Sequence, residues 1–254
     1  MEGGLVFISH SHYDIPVVRE IRNRFEQLGF EPLVFYLKCL NDSSEIESLI
    51  KREIDEREWF VFVDSENSRR SAWVRSECEY ISGLKGKKIF TVNADKDIAE
   101  QVDRIARQLQ VYISFAAKDM AIAEALKQYL IKRELRALIS VDELRVGVDF
   151  ATTVREGIST AAASGFMLLI VTENTPASAV ICHEIKRMKK QGGIIIPVYF
   201  NGGSLSAQQL KALGEHEPVY VDELSQQSLD SIMDAIEQRI DCHRGEVFDL
   251  SVFD

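Results

Sequence analysis

The chain alternates short apolar runs with amphipathic stretches of helical period, separated by polar loops. Leu5-Val6-Phe7-Ile8 reads as a strand, and Val17, Val18, Ile21 and Phe25 make the apolar stripe of the helix after it. Further strands are expected at 31–36, 59–63 and 88–92, with helices at 44–57, 71–84 and 98–109. Beyond residue 110, strands are expected at 111–113, 137–140, 166–171, 194–200 and 218–221. Helices are expected around Ile122–Leu130, at 150–161, around Glu184 and at 229–240. Apolar strands alternating with helices imply parallel sheets covered on both faces, an α/β fold.

The pattern is a duplication. Val6-Phe7-Ile8-Ser9-His10-Ser11-His12-Tyr13-Asp14 recurs, 105 positions on, as Val111-Tyr112-Ile113-Ser114-Phe115-Ala116-Ala117-Lys118-Asp119. Two flavodoxin-like domains in tandem, 1–110 and 111–254, account for the chain, each with a central parallel sheet flanked by helices. Asp14 and Asp119 stand just before their helices and are expected to be N-caps, with Pro16 inside the first turn. No Gly/Ser/Pro-rich linker separates Gln110 from Val111.

One helix breaks its own pattern. In the segment 71–84 the large apolar residues Trp73, Tyr80, Ile81 and Leu84 share a face, and Glu77 fills the vacant place on it. A half-buried carboxylate is costly unless something pairs with it or uses it. Arg69, Arg70 or another cation could pair with it; chemistry is the alternative. Its counterpart in the second half is Glu184, within the stripe Ile181, Ile185 and Met188, where Val180 replaces the Trp. Ser9 and His10, at the carboxyl end of the first strand, lie where open α/β sheets place ligands. Ser114 and Phe115 are the matching pair in the second half.

Composition narrows the function classes. Asp and Glu outnumber Lys and Arg 40 to 30, a net charge of −10 with both halves acidic, which excludes nucleic-acid or anionic-membrane binding through bulk charge. The longest apolar runs are too short to span a bilayer, and no signal-peptide pattern precedes Leu5. The four cysteines lie far apart, without metal-ligand or disulfide spacing, so no metal is expected and a reduced, cytoplasmic protein is.

Both halves resemble Toll/interleukin-1 receptor (TIR) domains of the bacterial kind. Phe7-Ile8-Ser9-His10-Ser11 resembles the family's first strand and loop. Ser71-Ala72-Trp73-Val74-Arg75-Ser76-Glu77 resembles its third-helix signature, with a Trp four residues before the glutamate. Asp142-Glu143-Leu144-Arg145-Val146-Gly147-Val148-Asp149-Phe150, followed by Arg155-Glu156-Gly157-Ile158, resembles its BB loop and the helix after it.

The resemblance is to NAD+-cleaving TIR domains of antiphage defence, of the Thoeris-like kind. It implies an NAD+ glycohydrolase or ADP-ribosyl cyclase that breaks the nicotinamide–ribose bond, with NAD+ as substrate and no cofactor. Glu77, and in the second half Glu184, would be catalytic. Ser9, His10, Trp73, Ser114, Phe115, Arg145, Gly147 and Phe150 would contact substrate. Other TIR domains, within the chain or in a homo-oligomer, are the implied partners, with a separate effector protein receiving the nucleotide signal. The alternative within the same family is a non-catalytic scaffold acting through TIR–TIR association.

Overall fold

A computed structural model of the chain describes residues 4–34, 43–139, 164–244 and 248–254, with backbone alone at residues 43–45 and 179. The loop at 37–42, the helix expected at 150–161, and Arg145, Gly147 and Phe150 lie outside the described residues.

The described residues form two compact units, one of residues 107–240 and one of residues 4–106 together with 241–254. The first-half unit runs β1 (Leu5–Ser9), α1 (Ile15–Gln27), β2 (Glu31–Leu33), α2 (Ser43–Glu56), β3 (Trp59–Asp64), α3 (Glu66–Arg69), α4 (Ala72–Ser82), β4 (Lys88–Asn93) and α5 (Ile98–Gln108). The other runs β5 (Gln110–Ser114), α6 (Met120–Lys132), β6 (Arg136–Ile139), β7 (Phe166–Val171), α7 (Ala179–Lys190), β8 (Ile194–Phe200), α8 (Ala207–Leu213), β9 (Val219–Val221) and α9 (Gln226–Glu237). After it comes a short strand, β10 (His243–Arg244), which pairs with β4 of the first unit.

Each unit has one five-stranded sheet. The orders are β2-β1-β3-β4-β10 and β6-β5-β7-β8-β9, the same doubly wound arrangement of second, first, third, fourth and fifth strand. The pairings are parallel throughout except β10 on β4, which is antiparallel. In the second unit β9 supplies the fifth strand. In the first, α5 leads directly into β5, and the fifth position is filled by β10. The sequence reading assigned residues 241–254 to the second half; they pack with the first unit.

The central strands read as continuous apolar runs because both faces are covered. Trp59 to Val63 and Phe166 to Val171 are all buried. Over the first sheet, α2 and α4 pack Ile50, Ile54, Val74, Cys78 and Ile81 against Phe7, Phe60 and Phe62. The helix α4 is capped at its start by Ser71, whose side chain accepts from the Val74 amide, and at its end by Gly83. The helix α8, for which no apolar periodicity stands out, is set by a capping box between Ser206 and Gln209. Among the described residues no helix is long and apolar enough to cross a membrane.

Asp14 and Asp119 do not cap their helices through their side chains. Both carboxylates are buried and turn to the segment that follows the central strand instead. Asp14 accepts from Ser65 Oγ (2.5 Å), Asn67 Nδ2 (2.7 Å) and Ser68 Oγ (3.2 Å). Asp119 accepts from Thr172 Oγ1 (2.7 Å) and Asn174 Nδ2 (2.8 Å). A buried carboxylate needs several donors, and hydroxyl and amide side chains that converge on it offer more than one helix terminus does. The same tie between the first-strand loop and the third-strand loop is thus made twice, with different donors.

Candidate active site

The Glu77 site is built by β1 and α4. Ser9 ends β1, and its Cα partner on β3 is Phe62. Parallel neighbours project to the same side of a sheet, so both residues face α4. Helical spacing puts Trp73 one turn before Glu77 on α4. Ser9 Oγ donates to Glu77 Oε2 at 2.5 Å and Trp73 Nε1 donates to Oε1 at 2.9 Å. Glu77 is only 9% exposed. Among the described residues no cation pairs with it: Arg69 binds Asp64 at 2.6 Å and Arg70 binds Glu66 at 2.5 Å. Burial pushes the Glu77 carboxyl up to about 7, and the Ser9 and Trp73 donors oppose that rise.

The carboxylate borders a cleft of about 240 Å³ between α2 and α4, lined by Ile50, Lys51, Ile54, Trp73, Glu77 and Tyr80 among others. Its floor is apolar. At the rim, Lys51 pairs with Glu47 at 2.5 Å and stands 5.5 Å above the Tyr80 ring, and the Tyr80 hydroxyl donates to Asp55 at 2.8 Å. A concave, largely apolar site with a few convergent polar groups and a raised carboxyl has the makings of a binding or catalytic site.

The second unit repeats the arrangement with one change. Glu184, on α7, is buried and accepts from Ser114 Oγ and Tyr112 OH, each at 2.6 Å. Its carboxyl is likewise raised, by burial first, with the two hydroxyl donors opposing. The Trp73 position is Val180, so the aromatic donor comes from the strand instead of the helix. Sequence reasoning missed Tyr112. The signal was there: a tyrosine stands in a buried strand where the first copy has Phe7, and a buried phenol hydroxyl needs a partner.

Ser9 and Trp73 are therefore brought together with Glu77, and Ser114 with Glu184. His10 is half-buried, with Nδ1 3.1 Å from the Ile8 carbonyl oxygen; burial lowers its pKa from the ordinary 6.5, so the ring is neutral at pH 7. Phe115 is half-buried beside Ser114. Among the described residues no group of three or more His, Cys, Asp and Glu is placed to hold a metal ion.

Comparison with known proteins identifies the family. The family model of the TIR domain matches residues 6–110 and, separately, residues 111–240. A Cytobacillus dafuensis protein named "Putative cyclic ADP-D-ribose synthase TIR2" is 33% identical over 97 residues, covering 35% of this chain and 24% of that relative. The match therefore spans about a quarter of the relative's length. With two domain matches covering most of its length, each on a sheet of the same strand order, the chain belongs to the TIR domain family and carries its domain twice in tandem.

Proposed function

We propose that the protein cleaves the nicotinamide–ribose bond of NAD+, with Glu77 as the catalytic carboxylate. The observation that carries this reading is that Glu77 borders a cleft while buried and uncompensated by any cation among the described residues. A carboxylate so placed is poised for a positive charge that only a ligand brings. The relative from Cytobacillus dafuensis, by its name a cyclic ADP-D-ribose synthase, supports the same substrate class.

The chemistry suits a single carboxylate. As the glycosidic C–N bond breaks, nicotinamide takes the bonding pair and leaves as a neutral base, so no acid is required. The ribose is left with oxocarbenium character, and ionised Glu77 stabilises that charge and accepts hydrogen bonds from ribose hydroxyls. Ser9 and Trp73 fix both carboxylate oxygens and favour the ionised form. Water attacking the anomeric carbon loses a proton and gives ADP-ribose. A nucleophilic atom elsewhere in the same molecule gives a cyclic isomer with the same loss. Glu184, held by two hydroxyls, is the second candidate for this role.

On this reading the protein works in the cytoplasm, where NAD+ is, and its product is a signal in bacterial antiphage defence that a separate effector receives. Association with other TIR domains, between the two in the chain or between chains, accompanies that role. The test is to incubate purified protein with NAD+ and measure nicotinamide by chromatography. A cyclic product is lighter than ADP-ribose by one water, so mass identifies the product. Nicotinamide release that survives Glu77→Gln would move the chemistry to Glu184. No release at any protein concentration would leave the association scaffold as the reading.

A further inference from the structure

The segment 241–254 does more than fill a sheet edge. β10 pairs antiparallel with β4 through His243 opposite Ile89 and Arg244 opposite Lys88. Phe248 and the turn Leu250–Phe253 then join the apolar core beneath α4, with Asp249 accepting from the Ser251 amide at 3.0 Å to start the turn. Phe248 and Phe253 sit on Phe62 at ring-centroid distances of 5.7 and 5.6 Å. Phe62 is the strand neighbour of Ser9, and Ser9 is a donor to Glu77. In the same cluster, Val74 and Cys78 flank Glu77 on α4. Outside the core, Asp254 Oδ1 meets Arg75 Nη2 of α4 at 3.0 Å.

We infer that Phe248 and Phe253 are positioning residues that hold α4, and with it Glu77 and Trp73, in register with Ser9 on β1. Two rings packed on Phe62, in one apolar cluster with Val74, Cys78 and Ile81 of α4, help fix where the helix rests on the sheet. The Ser9–Glu77 bond tolerates little change in that position, since hydrogen bonds weaken quickly with distance and angle. The first domain is therefore completed by a segment that follows the second in sequence, and its glutamate site depends on that segment being docked.

The test is hydrogen exchange on the full chain carrying Phe253→Ala. The amides of residues 74–82 should exchange about tenfold faster or more, while those of α1 and of the second unit stay at wild-type rates. Phe253→Leu, which keeps apolar bulk, should restore most of the protection. Unchanged exchange in α4 would overturn the inference. So would an equal rise across α1, β1 and β3, because that would make the segment a source of general stability only. Activity provides a second arm, which rests on the reading of Glu77 as catalytic. There Phe253→Ala should lower kcat about tenfold with KM for NAD+ within about twofold, as misplacement of a catalytic group does. If the wild-type chain releases no nicotinamide, the reading of Glu77 fails while exchange still decides the positioning.

Discussion

The Tyr112 hydroxyl lies 2.6 Å from Glu184 Oε1, and the Tyr112 ring occupies the strand place that Phe7 holds in the first domain. Tyr112 does for Glu184 what Trp73 does for Glu77. One copy spends its aromatic donor on the helix and leaves an apolar ring on the strand; the other does the reverse, with Val180 on the helix. In both copies a buried carboxylate keeps two donors, one serine hydroxyl and one aromatic N–H or O–H. Retaining that count while exchanging its source fits the rule that a buried charge must be satisfied, by whichever neighbour can reach it.

Tyr112→Phe should therefore cost the second domain about 1–3 kcal/mol at pH 8, because it leaves a buried carboxylate oxygen without its donor. In a Glu184→Gln background the same change should cost less, since a neutral amide loses less when a donor is removed. Exchange protection of α7 in the four proteins of the double-mutant cycle measures the coupling. A coupling within error of zero would mean that the Tyr112–Glu184 bond carries no energy.

Glu77→Gln separates stability from activity. Its carboxyl, raised from 4.5 to about 7 chiefly by burial, is protonated in the folded chain over a range where the unfolded chain has already ionised. Below about pH 4.5 both states are neutral and burial carries no charge penalty. Between about 4.5 and 7 the folded state loses ground, and above 7 the loss is constant, on the order of 3 kcal/mol. The amide fits the same partners, with its oxygen accepting from Trp73 and its nitrogen donating to Ser9 Oγ. Glu77→Gln should thus stabilise the first domain by about 2–3 kcal/mol at pH 8, do nothing at pH 4, and abolish nicotinamide release. Both tryptophans, Trp59 and Trp73, belong to the first domain, so fluorescence during urea unfolding reads that domain alone.

Activity should follow the ionised form. The acid limb of kcat/KM should lie near pH 7, with activity rising as pH increases through it. Trp73→Phe removes one of the two donors that favour the carboxylate and should move that limb upward, with activity recovering at higher pH. A limb that stays in place would show that Glu77 ionisation does not control the rate.

Much of this was legible in the sequence, for a definite reason. The duplication made the first four strands of one half recur in the other, and the charge at Glu77 stood out because its neighbours on the helix face are apolar. Periodicity says nothing about how a polar group is satisfied. That is why Asp14 reads as a cap in the sequence and is in fact a tie to Ser65, Asn67 and Ser68, 51 to 54 residues away. Nor does it report pairing across the chain: His243–Arg244 is too short to read as a strand, and its partner β4 lies some 150 residues earlier. Tyr112 falls between these cases, since its hydroxyl announces that a partner exists without naming Glu184.

The Asp14 tie has a measurable size. Loss of an N-cap costs about 1 kcal/mol, whereas removing a buried carboxylate that three side-chain donors converge on should cost about 2–4 kcal/mol. Asp14→Ala should show the larger loss in the same fluorescence-detected unfolding. Asp14→Asn should recover most of it, because its oxygen can still accept from Ser65 and Ser68. A loss near 1 kcal/mol would return Asp14 to the role of a cap.

The cleft between α2 and α4 is tested most cleanly from its exposed wall. Ser76 lines it, is exposed, and is none of the donors to Glu77. Ser76→Trp puts an indole over the opening without disturbing Ile50, Ile54 or the Ser9–Glu77 bond. Surface substitutions of this kind change stability by about 0.5 kcal/mol or less, so unfolding should be unaffected. If NAD+ enters between these helices, KM should rise about tenfold or more, because the ligand must displace or share space with the new ring. Glu77→Gln acts in the opposite way, removing kcat while the cleft stays open. On the reading of Glu77 as catalytic, a Ser76→Trp protein with unchanged KM would mean that substrate reaches Glu77 by another face, and that the cleft lies beside the chemistry without serving it.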